Sequence, residues 1–404
     1  MIRRPLVRLH RWAGLFMAGF LIVVGLTGSM LVFWQELNEF LAPTLYPGPR
    51  AGAELPAGTL ALRAEVLVPE ARATTVYLGY PGTVWVGVEA RPGAPPLGYD
   101  YIYLDPVTGS ELGKVKWGAW PTTLSAVMPF VYELHETLVM GFAGGRLLGI
   151  VALIWTIDCF IAFYLTLPRP SASSTHGFFR RWKPAWLVKI RAPAFRLNFD
   201  LHRAGGLWPW ALLLVFAWSS VYLNLKPVYS AATSLFFEYE PSVAVSPAAA
   251  ARAEREGASN DREPMGWNEA QTVAVRLMEA QSREHRFTVQ RPMALYLLRN
   301  AGLFEYRVRS SRDIGDKYGS TSIYFDASSG ALRQLRLPTG QTSGNTITTW
   351  LLALHMANVF GLPFRLFVCA VGVVITMLSV TGLNIWLHKR AARSFIARRK
   401  AART

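Results

Sequence analysis

Four of the seven histidines fall into two matched pairs. Residues 9–15 read LHRWAGL and residues 201–207 read LHRAGGL, so His10 and His202 stand in the same Leu-His-Arg-x-x-Gly-Leu entrance to an apolar run. Residues 133–153 (ELHETLVMGFAGGRLLGIVAL) echo residues 353–372 (ALHMANVFGLPFRLFVCAVG): Leu-His, a glycine-bearing break, an arginine, then an apolar run. This second echo matches His135 with His355 and Arg146 with Arg365. Two neutral imidazoles projecting from facing helices can supply both axial ligands of a haem iron. Haem b has no covalent tether, so no Cys-x-x-Cys-His is required, and its macrocycle suits an apolar cleft between helices. Its propionates call for cationic partners, and Arg11, Arg203, Arg146 and Arg365 stand beside or after the paired histidines. A single histidine at a helix entrance is usually a hydrogen-bonding residue, whereas four in two matched pairs have the form of a ligand set.

Other metals remain in competition at this point. Zinc wants a third or fourth ligand and copper transport favours Met or Cys clusters, whereas Glu136 is the one carboxylate directly adjacent to any of these histidines in sequence. His388 has no mate, since its counterpart in the first half falls near Arg169; it either replaces an inner ligand or sits in the headgroup layer. His176 and His285 lie in polar stretches and read as solvated residues. Asp158, an ionisable residue inside an apolar run, is a relay or hydrogen-bonding candidate, with pairing to a neighbouring polar side chain equally open. The two cysteines, Cys159 and Cys369, lie in different apolar runs and read as small buried residues, not a disulfide.

The elements that must hold these residues are membrane helices. Of the 404 residues, 51% are apolar, gathered into long blocks. Residues 12–34 carry no charge, and at 1.5 Å per residue they make a helix of about 34 Å, enough for a hydrocarbon layer of ~30 Å. Blocks at 138–167, 204–225 and 356–387 complete an expected set of four spans. The net charge of +16 is not a nucleic-acid signature, because Lys and Arg cluster beside the spans. They crowd the N-terminus, the 168–200 linker and the tail, which the positive-inside rule places in the cytoplasm. Arg3, Arg4 and Arg8 precede the first span without a clear cleavage site, as in an uncleaved signal anchor.

The expected layout is a cytoplasmic N-terminus with the first span (1–34), an outer segment (35–130), and an outer His segment with the second span (131–167). A basic cytoplasmic linker (168–200), the third span (201–225), a second outer segment (226–345), the fourth span with its His segment (346–388) and a basic tail (389–404) follow. Each half enters from the same side, so a parallel repeat about an axis along the membrane normal is expected, with one histidine pair near each surface. The outer segments echo each other too: YIYLDPVTGSEL (101–112) and SIYFDASSGALR (322–333) alternate in strand fashion up to an Asp-to-Gly hairpin turn. Each outer segment is expected to be a small α+β domain. NEAQTVAVRLMEAQS (268–282) predicts an amphipathic helix with Ala270, Val273, Val275, Leu277 and Met278 as its apolar residues, and SPAAAARAEREGASNDREP (246–264) predicts a mobile loop.

The LHRxxGL entrances, the Leu-His and Arg before spans two and four, the D-x-x-G hairpins and the Trp-x-His-Lys-Arg exit (386–390) together resemble the PepSY-associated transmembrane family. That family includes the bacterial inner-membrane siderophore reductases of the FoxB type, and the resemblance covers nearly the whole chain. It implies a four-span, haem-binding α-helical membrane protein with two periplasmic PepSY-like α+β domains, multi-pass in the bacterial cytoplasmic membrane. It also implies two haem b, the outer on His135 and His355 and the inner on His10 and His202, passing electrons outward to a ferric siderophore. The 246–264 insertion and the unmatched His388 depart from a regular duplication. No Gly-rich dinucleotide fingerprint stands in the cytoplasmic segments, so electrons are expected from a quinol or a donor protein. Two rival functions stand beside a reductase: a haem subunit feeding another periplasmic oxidoreductase, and a non-redox membrane regulator whose spans serve as anchors.

Overall fold

The computed structural model describes residues 2–169, 176–243 and 263–401. Its elements, in chain order, are α1 (Arg3–Leu31), α2 (Trp34–Leu41), α3 (Ala57–Leu67), β1 (Ala71–Tyr80), β2 (Thr83–Ala90), β3 (Tyr101–Leu104) and β4 (Glu111–Val115). Then come α4 (Val127–Thr137), α5 (Gly141–Thr166), α6 (Phe178–Trp182), α7 (Ala194–Leu207), α8 (Trp210–Asn224) and α9 (Lys226–Ser234). The chain ends with α10 (Trp267–Glu284), β5 (Val289–Leu298), β6 (Leu303–Ser310), β7 (Thr321–Asp326), β8 (Leu332–Arg336), α11 (Ser343–His355) and α12 (Gly361–Ala401). They form a helical unit (Met1–Phe33, Tyr132–Tyr229, Leu354–Thr404) and a sheet unit (Trp34–Val131, Ser230–Ala353). The predicted loop at 246–264 lies, apart from its last two residues, outside the described residues.

In the helical unit, Arg3–Leu31, Gly141–Thr166 and Gly361–Ala397 are each long and apolar enough to cross a membrane. The third expected span (201–225) instead falls on two helices, α7 and α8, that meet at 67°. The break falls at Trp208-Pro209, where proline removes a backbone donor and its ring obstructs the preceding turn. Proline is absent from the matching stretch of α1, at Phe16-Met17, which runs on as one helix. Helices α1 and α12 cross closely at Gly25 and Gly372. A Cβ on Gly25 would stand 2.7 Å from the Gly372 carbonyl oxygen, and Ser29 Oγ donates across the crossing to Cys369 O at 3.0 Å. Small residues at the crossing let the backbones approach, the usual basis of helix association in lipid. With His10 and His202 aligned, 192 residues apart, the mate of Gly25 is Ala217; with His135 and His355 aligned, 220 apart, the mate of Gly372 is Ala152. Both alanines are buried, so a small residue stands on α5 and on α8 at the positions matching the α1–α12 crossing.

In the sheet unit the two outer segments do not close as separate α+β domains. They share one antiparallel sheet of order β4-β3-β2-β1-β5-β6-β7-β8, joined where Thr75, Val76 and Tyr77 pair with Tyr296, Leu295 and Ala294. Each half-sheet alone would expose a strand edge of unpaired N–H and C=O groups, and the β1–β5 pairing satisfies both edges at once. The expected hairpins form: Asp105 Oδ1 accepts the Val107 and Thr108 amides before Gly109, and Asp326 Oδ1 accepts the Ser328 and Ser329 amides before Gly330. Both glycines have positive φ (67° and 71°), the conformation for which the motif selects glycine. Helices α3 and α10 bury Leu60, Ala61, Ala64, Trp267, Ala270, Ala274 and Met278 in the core they share with the sheet. The predicted amphipathic helix is thus α10, but Val275 lies on its exposed side and Ala274 on the buried one. A second cluster, built from the first outer segment, unites Tyr46, Tyr80 and Tyr103 with Trp34, Trp85 and Trp117.

Candidate functional site

Each histidine reaches its position by a local device. His135 is in the last turn of α4 and His355 closes α11, and after both the chain turns sharply through left-handed backbone. Leu138 and Val139 (φ 55° and 57°) follow the first, Ala357 and Phe360 (φ 49° and 61°) the second. Such conformations cost non-glycine residues about 1–2 kcal/mol each. Recurrence at both matched places marks these turns as imposed by the tertiary structure. His10 lies inside α1 and His202 inside α7, two residues after Asp200.

The matched histidines meet. The rings of His10 and His202 have centroids 6.1 Å apart and planes at 55°. Those of His135 and His355 are 6.4 Å apart at 78°. Two imidazoles sharing one metal ion through bonds of about 2 Å, each with roughly 1.2 Å from nitrogen to ring centre, would place their centroids ~6.4 Å apart. Both pairs fit that spacing. The paired residues sit at opposite ends of one helix: His10 and Thr27, which touches His135, are 17 residues apart on α1, about 26 Å along its axis.

Hydrogen bonds set the tautomer of all four rings. Thr27 Oγ1 is 3.0 Å from His135 Nδ1 and spends its proton on Val23 O, so it accepts from the imidazole N–H. Ser219 Oγ donates to Val215 O and stands 2.6 Å from His355 Nδ1, with the same consequence. His202 Nδ1 donates to Leu378 O (3.0 Å) and toward Thr381 Oγ1 (3.1 Å), whose proton goes to Met377 O. His10 Nδ1 donates to the Asp158 carboxylate, 3.0 Å from either oxygen. With the proton on Nδ1, the lone pair is on Nε2 in every ring, the arrangement a metal-binding imidazole needs. Thr27 and Ser219 obey the same 192-residue spacing as His10 and His202, so the hydroxyl partners are duplicated along with the histidines.

Two glycines make room. A Cβ on Gly28 would stand 3.0 Å from His135 Cε1, and one on Gly382 would stand 3.0 Å from His202 Cε1. The Phe216 ring lies 5.3 Å from that of His355 and gives the pair an apolar wall. Among the described residues no group of three or more His, Cys, Asp or Glu comes together. Each pair therefore offers two protein donors, as haem iron requires and fewer than the three or four of a zinc site.

The four arginines differ in what they already hold. Arg203 donates to the buried Asp200 at 2.9 Å and to Pro184 O at 2.6 Å. Arg365 donates to Val32 O just past the end of α1 and lies over Phe33. Arg146 is exposed and lies over Phe142. Arg11 lies over Trp12, and its Nε is buried with no hydrogen-bond partner among the described residues. His388 is exposed, donates to Asn384 O one turn back and packs on Phe195, while the inner pair is built by His10 and His202. The residues that single-residue inspection passes over are Thr27, Ser219, Thr381, Gly28, Gly382 and Asp200. For Thr27 and Ser219 the signal was present, as a repeated hydroxyl at the repeat spacing.

A family model described as the PepSY-associated TM region matches residues 7–389. A search of curated proteins finds no match to the chain.

Proposed function

The chain belongs to the PepSY-associated transmembrane family, and from that premise we propose that it carries electrons across the membrane through two bis-histidine haem b sites to a ferric siderophore. One observation carries the proposal: two symmetry-matched histidine pairs, at 6.1 and 6.4 Å, with all four rings held as Nδ1–H tautomers. Haem b held at each pair supplies one-electron chemistry at iron within reach of the apolar interior.

The chain's own residues bind, orient and seal. His10 with His202, and His135 with His355, would hold the two haem irons. Thr27, Ser219, Leu378 O and Asp158 hold the rings in register. Arg11 and Arg146, which have no carboxylate partner among the described residues, are the readiest cations for propionates. Arg203 and Arg365 would have to share their present partners. Counting the bent α7–α8 pair as one span gives four, with both termini on one side; the Lys and Arg distribution assigns that side to the cytoplasm and the sheet unit to the periplasm. In this arrangement the bacterial inner membrane is the setting, and the donor is a quinol in the surrounding lipid or a protein.

The substrate logic is that of ligand hardness. Hard oxygen chelators grip Fe(III) strongly and Fe(II) weakly, so delivering one electron to the bound ferric ion frees the metal. The two PepSY-like halves of the shared sheet are the proposed docking platform. Visible absorbance of the purified protein tests the reading: two haems per chain with a bis-imidazole spectrum are expected, and a colourless protein refutes it. Mixing the reduced protein with a ferric siderophore separates a reductase, which is reoxidised quickly, from a subunit that feeds another oxidoreductase, which is not.

A further inference from the structure

Resting on the reading of the pairs as haem sites, we propose that Asp158 is a positioning residue that lowers the reduction potential of the His10–His202 centre below that of the His135–His355 centre. Electrons entering at the first pair would then run downhill to the second.

The inference comes from a break in the symmetry. Three of the four rings donate to neutral oxygens, the hydroxyls of Thr27 and Ser219 and the carbonyl of Leu378 supported by Thr381. His10 donates to a carboxylate. With His135 and His355 aligned, the 220-residue spacing places Asp158 opposite Leu378, so the same location beside the inner pair holds a carboxylate on one side and a backbone carbonyl on the other. The carbonyl suffices to fix the His202 tautomer, so orientation alone does not require an acid beside His10. Asp158 is 6% exposed, and burying a carboxylate in a membrane interior costs several kcal/mol unless its surroundings answer the charge. Its hydrogen bonds come from His10 Nδ1.

Giving the ring N–H to a carboxylate strengthens donation from the opposite nitrogen. A stronger donor and a nearby negative charge both favour the more positive state of a metal, which moves the potential down. The cations on the adjoining elements act unequally. Arg203 shares the single carboxylate of Asp200 with Arg196 and is only partly offset, whereas Arg11 has no ion-pair partner among the described residues and opposes Asp158. Exchanging Asp158 alone isolates its contribution from that of Arg11.

The test is a redox titration of the purified full-length protein, followed by visible absorbance, with His355→Ala used to assign the two waves. Asp158→Asn keeps an oxygen for the imidazole N–H and removes the charge. The inner wave is expected to rise by a tenfold or greater change in its one-electron equilibrium, 59 mV per decade, with the outer wave unmoved and Asp158→Glu returning it toward the wild-type value. Thr381→Asp brings a carboxylate to the other ring and is expected to lower the same wave; it decides the matter should Asp158→Asn lose the inner centre. No shift in either variant, or a shift confined to the outer wave, overturns the proposal. A wild-type protein without haem overturns the underlying reading as well, whereas two wild-type waves that ignore both variants overturn this inference alone.

Discussion

Replacing Ser219 with alanine is the sharpest probe of the outer pair. Ser219 is fully buried on α8, and its Oγ lies 2.6 Å from His355 Nδ1. Alanine removes one oxygen, leaves the helix intact because it has the higher helix propensity, and otherwise forfeits only back-bonding to Val215 O and Phe216 O within the same helix. What remains is an imidazole N–H facing the Phe216 wall with no acceptor. A buried donor left unsatisfied costs about 1–3 kcal/mol. Escape by moving the proton to Nε2 would destroy the metal-binding lone pair instead. Either route should weaken retention of the outer cofactor by roughly 10–100-fold, the usual size of such second-shell losses. The assay is transfer of haem from the detergent-solubilised protein to a haem-free acceptor globin, followed at the Soret band. A His10→Ala background lets only the outer centre report. Unchanged transfer from Ser219→Ala in that background would show that the hydroxyl does not hold the ring and would refute the tautomer argument.

Other outcomes follow from the same geometry. His10→Ala and His355→Ala should each halve the haem content of the purified protein, while His388→Ala, whose ring meets Phe195 and Asn384 O, should leave it whole. Gly28→Leu forces side-chain atoms into the space taken by the His135 ring, and the outer centre is expected to be lost with the inner spectrum preserved. Gly25→Leu places its Cβ 2.7 Å from a carbonyl of α12, so the thermal midpoint of the solubilised protein should fall, by the equivalent of about 1–3 kcal/mol or more. Burial opposes ionisation of Asp326, yet the donors Arg333, Ser329 and Ser328 hold its carboxyl well below the usual carboxylate range. Its stabilisation is therefore complete above the unfolded value of about 3.9 and fades as pH falls toward the lower folded value. Asp326→Asn should lower the melting of the strand signal in circular dichroism at pH 7, with the gap to the wild type closing as pH drops below about 4.

Much of this molecule was legible before folding, for a definable reason. The longest charge-free runs, the duplicated Leu-His-Arg entrances and the Asp-to-Gly turns are local signals, and they appear in the structure as span-length helices, a repeat and hairpins. The histidine pairing was legible because a duplication writes each half of a two-sided site twice, and the structure brings the mates together at 6.1 and 6.4 Å. The bend at Pro209 was not expected, because the apolar run at 204–225 reads as one unbroken span. Other features were settled by contacts between residues far apart in the chain. Hydropathy gave each outer segment a strand pattern, but edge pairing of β1 with β5 merged them into one sheet, since an unpaired edge carries no mark in its own sequence. Val275 and Ala274 are both apolar, and packing against the sheet decided which turned inward. Asp158 stood out only as an acid in an apolar run; the approach of α5 to α1 made it the partner of His10 and left His202 with a backbone carbonyl. A sequence states which side chains exist and how they recur, and the crossing of helices decides which of them share a hydrogen bond.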